Sequence, residues 1–172
     1  LGGGIANTCL AAKGYEVGKS LIEDSMLEEA KELVANPKII IPESVIVSIS
    51  ADEPGRITSA NSIQENEAIF DIAPASFVDL EPIIMNAGTI LWNGPLGFFE
   101  KENFFAGTAM MAEMIISSKG FSVAGGGDTI SAAEKAGVLD SLDYVSTAGG
   151  AFLEFMEGKK LPALEALIDK VN

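Results

Sequence analysis

The stretch Gly120-Phe121-Ser122-Val123-Ala124-Gly125-Gly126-Gly127-Asp128-Thr129 decides the fold. Residues Gly120–Ala124 predict a short strand, the glycines a tight turn, and Thr129–Ala136 a helix. The same order of apolar strand, glycine-rich turn and helix recurs at Asn93–Gly97 and Ala148–Gly150, and Gly2–Gly4 supplies its turn and helix. Strands alternate with helices from residue 68 on, which predicts α/β with a mainly parallel sheet and right-handed crossovers. In such sheets ligands sit at the carboxyl ends of the strands. Four glycine turns on one edge would offer backbone amides and helix N-termini to an anion, phosphate above all.

Outward from that stretch, helices are expected at Ile5–Ala12 (ended by Gly14), Glu23–Ala35 (stopped by Pro37), Pro74–Asn86 and Asn103–Ser118, and from Gly150 to Met156 and Pro162–Val171. In the Asn103–Ser118 helix, Ala106, Met110, Met114 and Ile115 are expected to face inward. Strands are expected at Lys38–Ile41, Val45–Ser50, Ala68–Ile72, Thr89–Trp92 and Asp143–Thr147. Residues 51–67 have little periodicity and read as a long surface connection.

Composition narrows the function. The chain has 172 residues, 48% hydrophobic and 21% charged, an ordinary globular balance. Eleven basic against 25 acidic residues give a net charge of −14, which argues against nucleic-acid and anionic-membrane partners. No histidine is present, so a histidine base, a Ser-His-Asp triad and a His-ligated metal are excluded within the chain. The single cysteine, Cys9, cannot form an internal disulfide and fits a reducing, cytoplasmic setting. Apolar runs such as Ile39–Ile41 and Ile83–Met85 are far too short to span a membrane, and no signal peptide is visible. The start at Leu1-Gly2-Gly3-Gly4, with no strand before the glycines, reads as mid-protein.

Two nucleotide motifs fail on inspection. Gly14-Tyr-Glu-Val-Gly18-Lys19-Ser20 has three residues between its glycines where a P-loop has four, and it follows a helix; a helix-ending turn accounts for it. Gly2–Asn7 has Asn where the third glycine of the dinucleotide fingerprint belongs, and Gly125–Ile130 has Ile. Asp128, ahead of a helix, is either an N-cap or a carboxylate for Mg2+ bound to phosphates. In Leu91-Trp92-Asn93-Gly94-Pro95-Leu96-Gly97-Phe98-Phe99-Glu100, turn chemistry explains Asn93, Gly94 and Pro95, and Trp92 reads as core. Glu100 is either a solvated acid before a helix or a functional one. Ser146–Glu154 places bare amides at a helix start, for close packing or for stabilising a moving phosphoryl group.

In combination, GGGIANT at Gly2, WNGPLGFFE at Trp92, GGGDT at Gly125 and STAGGAFLEFMEGK at Ser146 resemble phosphoglycerate kinase, specifically its C-terminal, nucleotide-binding domain, with the resemblance running over residues 1–172. It implies a Rossmann-like three-layer α/β/α domain, one half of a two-domain, monomeric, cytoplasmic glycolytic kinase. That enzyme transfers a phosphoryl group from 1,3-bisphosphoglycerate to Mg-ADP, giving 3-phosphoglycerate and Mg-ATP. It also implies residue roles. Gly2, Gly3, Gly4 and Leu21 belong to the adenine pocket, with Ile69 and Phe70 on its other side. Asn93, Pro95, Gly97 and Phe98 line the ribose and phosphate region, and Glu100 bonds the ribose hydroxyls. Asp128 matches the Mg2+ carboxylate and Thr129 a phosphate contact. Gly126, Gly127, Gly149 and Gly150 face the transferred group. The 3-phosphoglycerate site would lie in an N-terminal domain outside this chain, as would the domain's first strands and its phosphate-binding lysines, so the chain alone would be inactive. Two positions depart from the pattern: Ala148 stands where a glycine is usual, and Cys9 where an aromatic is. The other readings are an NAD-dependent dehydrogenase domain, which lacks its third glycine and its acid on a strand end, and a non-catalytic binding domain, which would show no Mg2+ dependence.

Overall fold

The computed structural model describes residues 1–168. Helix α1 (Gly3–Ala12) opens out of the glycine triplet. A one-turn 3-10 segment at Asp24–Met26 leads into α2 (Leu27–Ala35), which packs on α1. Strands β1 (Ser44–Ser48), β2 (Arg56–Ser59) and β3 (Ala68–Ile72) form an antiparallel sheet in the order β2-β1-β3. After α3 (Glu81–Met85), strands β4 (Thr89–Trp92), β5 (Phe121–Gly125) and β6 (Tyr144–Ser146) form a parallel sheet in that order. Helices α4 (Ala106–Ser117) and α5 (Gly127–Lys135) make its crossovers, and α6 (Gly150–Met156) and α7 (Pro162–Ile168) follow. The α/β architecture with a parallel sheet flanked by helices is the one the strand-turn-helix grammar implied.

The packing follows from the alternation of side chains along each strand. Val45 and Val47 of β1 meet Leu10, Val17, Ala60 and Ile63, while Ile46 points the other way onto Ala73 and Phe104. Under the parallel sheet, Trp92 and Ala124 close on Ala112, Ile115, Ala132 and Ala133. The small residues let α4 and α5 approach the strands closely.

Several expectations are corrected. Lys38–Ile41 is not a strand: the Asn36 side chain accepts the Lys38 N–H (2.9 Å) and its carbonyl the Ile39 N–H (3.0 Å), folding the segment into a turn. The connection 51–67 holds β2, an exposed edge strand whose polar side chains hide its periodicity. The Pro74–Asn86 helix is two pieces, a 3-10 turn at Pro74–Phe77 and α3, restarted by Pro82 in its first turn. Likewise the Asn103–Ser118 helix begins as a 3-10 turn at Glu102–Phe104. Its buried residues are Gly107, Thr108, Ala112 and Ile115; Ala106 is exposed and Met110 and Met114 are half-buried. Strand β3 joins the antiparallel sheet, not the parallel one. The expected extension of the last helix to Val171 lies outside the described residues.

Candidate functional site

The parallel register sets the site. Trp92 pairs with Ala124 and Gly125 with Ser146, so the turns after β4, β5 and β6 leave one edge of the sheet together. Hydrogen bonds join them. Asn93 donates from Nδ2 to the Gly125 carbonyl (2.7 Å). Thr129 donates from Oγ1 to the same carbonyl (2.7 Å) and accepts the Gly94 N–H (2.7 Å). Trp92 donates from Nε1 to the Gly94 carbonyl (2.9 Å) while its ring stays in the core. The fourth turn is tied in where the Gly3 N–H donates to the Leu96 carbonyl (3.0 Å).

Gly126 turns the chain from β5 into α5 at φ +99°, a conformation other residues rarely adopt, and a Cβ there would sit 3.0 Å from Asn93 Nδ2. It is also the residue that caps α5. Asp128 is therefore inside the helix, exposed, and forms no capping bond, which removes the N-cap explanation for it. Its carboxylate stands in the first turn of α5, where the helix dipole favours negative charge. Gly149 and Gly150 begin α6 in the same way after β6. No residue other than glycine has a positive φ among the described residues, so the methyl of Ala148 is carried without strain.

Beside these turns lies a cleft of about 390 Å³. Gly3, Gly4 and Leu21 line one wall, Ile69 and Phe70 of β3 the floor, and Leu96, Gly97 and Phe98 the other wall. Leu21 is 78% exposed at the mouth, an apolar side chain with no partner to cover it among the described residues. The Phe70 and Phe98 rings stack at 6.2 Å. A β-bulge in β3 releases the Phe70 carbonyl from the ladder, and it accepts the Phe98 N–H (2.7 Å), clamping floor to wall.

The cleft thus gathers Gly3, Gly4, Leu21, Ile69, Phe70, Gly97 and Phe98. Gly2, Asn93 and Pro95 line a neighbouring cavity of about 230 Å³ on the β4 side. Gly126, Gly127, Asp128, Thr129, Gly149 and Gly150 lie at the helix starts just described, and Glu100 sits exposed past Phe99. Thr129 is 1% exposed and its hydroxyl is committed to two backbone partners, so its visible task is to tie the turns after β4 and β5 together.

The sequence reading missed Lys19, the one charged residue lining the cleft, because it had set Gly18-Lys19-Ser20 aside with the failed P-loop. It also missed Asp71, buried directly behind Phe70. Burial raises the Asp71 carboxyl to about 6, against the opposing pull of bonds from the Gly107 and Ile72 N–H groups. The signal was a lone acid in the apolar run Ala68–Ile72.

A family model described as phosphoglycerate kinase matches residues 1–159. The chain belongs to the phosphoglycerate kinase family. Among solved structures, the phosphoglycerate kinase of Coxiella burnetii superposes with a TM-score of 0.89 at 44% identity, over 95% of this chain and 44% of that one. Phosphoglycerate kinase from Pyrococcus horikoshii OT3 gives 0.82 at 32% identity, over 96% of this chain and 44% of that one. The chain therefore spans under half the length of these two kinases. No helix among the described residues is long and apolar enough to cross a membrane.

Proposed function

We propose that residues 1–172 are the nucleotide-binding, C-terminal domain of a cytoplasmic phosphoglycerate kinase, taking Mg-ADP and Mg-ATP. The observation that carries the reading is the cleft, whose apolar Leu21, Ile69 and Phe98 suit a flat base, together with the glycine starts of α5 and α6 on the same sheet edge as its Leu96–Phe98 wall. Gly3, Gly4, Leu21, Ile69 and Phe70 hold the adenine. Gly2, Asn93, Pro95, Gly97, Phe98 and Glu100 hold the ribose and the phosphates, with Thr129 fixing the Gly94 and Gly125 backbone beside them.

Among the described residues no group of three or more acidic, cysteine or histidine side chains could cage a metal. Mg2+ needs no such cage, since it binds through one or two carboxylates plus phosphate oxygens. Asp128 fits that demand: it is exposed, free of a capping bond, and beside the amides that would receive the phosphates. Bound there, the ion would neutralise charge on the phosphate oxygens.

In the reaction, the β-phosphate oxygen of ADP forms a new P–O bond to the acyl phosphate of 1,3-bisphosphoglycerate. The bond from that phosphorus to the carboxyl oxygen breaks, and 3-phosphoglycerate leaves. Gly126, Gly127, Gly149 and Gly150 would aim their N–H groups at the phosphoryl oxygens in transit, supplying fixed dipoles where charge is spread. The acid-bearing substrate would be held by a basic domain outside residues 1–172. Isothermal titration tests the reading. Mg-ADP should bind, and NAD should not. Binding of NAD alone would establish the dehydrogenase reading, and nucleotide binding indifferent to Mg2+ would remove the metal role.

A further inference from the structure

We propose that Asp71 is a positioning residue that holds the Leu96–Phe98 wall of the cleft in place by fixing the start of α4. The inference rests on the nucleotide reading of the cleft. Asp71 is 1% exposed, and its two oxygens have separate tasks. Oδ1 accepts the Ile72 N–H (2.8 Å), which orients the carboxylate on β3. Oδ2 accepts the Gly107 N–H (2.8 Å), one of the unpaired donors in the first turn of α4. The next residue, Thr108, is fully buried and turns its Oγ1 to the wall, accepting the N–H groups of Leu96 (3.1 Å) and Gly97 (3.4 Å). Gly97 itself lies against the carboxylate so closely that a Cβ there would overlap Oδ1, as would one on Gly107. Carboxylate, α4 and wall are therefore in direct contact, one residue behind the Phe70 floor. Neither Asp71 nor Thr108 lines the cleft, so their role is to place Gly97 and Phe98 rather than to bind.

An ionised carboxylate can accept from both N–H groups; an amide of the same shape accepts with one end and presents an N–H donor with the other. Asp71→Asn therefore opposes a donor to a donor at one of the two bonds and loosens the wall. In the full-length protein, Mg-ADP affinity should fall about tenfold, equal to about 1.4 kcal/mol. The nucleotide KM should rise accordingly, with kcat and the KM for 3-phosphoglycerate unchanged. A role in stability alone would lower the melting temperature and leave the nucleotide KM of the folded protein where it was, and that result overturns the inference. If Asp71→Asn does not fold, Thr108→Val decides: it keeps the carboxylate and removes the acceptor for Leu96 and Gly97. Weakened Mg-ADP binding in that variant supports the inference, and unchanged binding overturns it. Failure of the unsubstituted protein to bind any adenine nucleotide is a different result, which overturns the nucleotide reading and this inference with it.

Discussion

Thr129→Val tests whether the glycine turns are held together by side chains from neighbouring strands. Valine matches threonine in shape and is similar in helix propensity, so the change isolates the hydroxyl. In the native chain that hydroxyl, on a residue that is 1% exposed, donates to the Gly125 carbonyl and accepts the Gly94 N–H, both at 2.7 Å. The Gly125 carbonyl keeps its second donor, Asn93 Nδ2, so that loss is partly covered. The Gly94 N–H has no such reserve. Leaving a buried donor unpaired costs about 1–3 kcal/mol. Taking about 2 kcal/mol, the melting temperature of a unit of this size should drop by roughly 4–8 °C. Hydrogen exchange locates the effect: the Gly94 amide should exchange faster in Thr129→Val and stay protected in Thr129→Ser, which retains the hydroxyl. A valine variant that melts with the native protein and keeps Gly94 protected would refute the account of how β4 and β5 present their turns.

Glu100→Ala in the full-length protein should weaken Mg-ADP binding by about 1.5–3 kcal/mol, the range for a hydrogen bond to a charged group, and spare 3-phosphoglycerate; titration with each ligand checks this. Asp128→Asn should leave the apo melting temperature unchanged, since no capping bond is lost, and should raise the Mg2+ requirement and slow transfer by roughly 10- to 150-fold; early melting with normal Mg2+ dependence would return Asp128 to a structural role. Residues 1–172 alone should bind Mg-ADP and show no turnover in a coupled assay, because proximity worth about 7–11 kcal/mol is lost with one substrate unheld. The Asp71 carboxyl is raised from 3.8 to about 6, so the folded state binds the extra proton between those values. Its contribution to stability is complete below pH 4 and is lost as pH rises through about 6, an amount of about 3 kcal/mol. Asp143, lowered by its bonds from Ser122, works in the opposite direction, so the measurement is the difference in denaturation midpoint between native protein and Asp71→Asn across that window.

Strands β3 and β4 were legible to the residue because each is a short apolar run closed by turn residues. Edge strand β2 was not, since Ile57 is 62% exposed and the other three residues are polar: nothing alternates when neither face is buried deeply. The inward face of α4 was read in the wrong phase for a related reason. Its buried stripe runs through Thr108, and a polar residue at a core position does not count in a hydrophobic periodicity. The glycine turns were legible as sharp turns that open helices, and the cleft beside them only through the family resemblance. Asp71 and Thr108 belong to neither, because their partners lie 36 and 12 residues away in sequence, and such bonds exist only once β3, α4 and the turn after β4 have met.

A chain of net charge −14 that holds a polyanion has to do so with few cations of its own. Two unit charges of like sign 4 Å apart repel by about 4 kcal/mol near a protein surface. On the proposed reading the glycine starts of α5 and α6 would meet that problem with neutral groups, since backbone amides point positive dipoles at a ligand and bring no counter-charge. Exposed Asp128 then adds to the repulsion unless a divalent cation accompanies the phosphates, and in that case the same carboxylate becomes attractive. The sign of its contribution therefore depends on the metal. Free nucleotide should be disfavoured and the Mg-nucleotide favoured at one site, with the discrimination carried by a single side chain that the fold leaves unbonded.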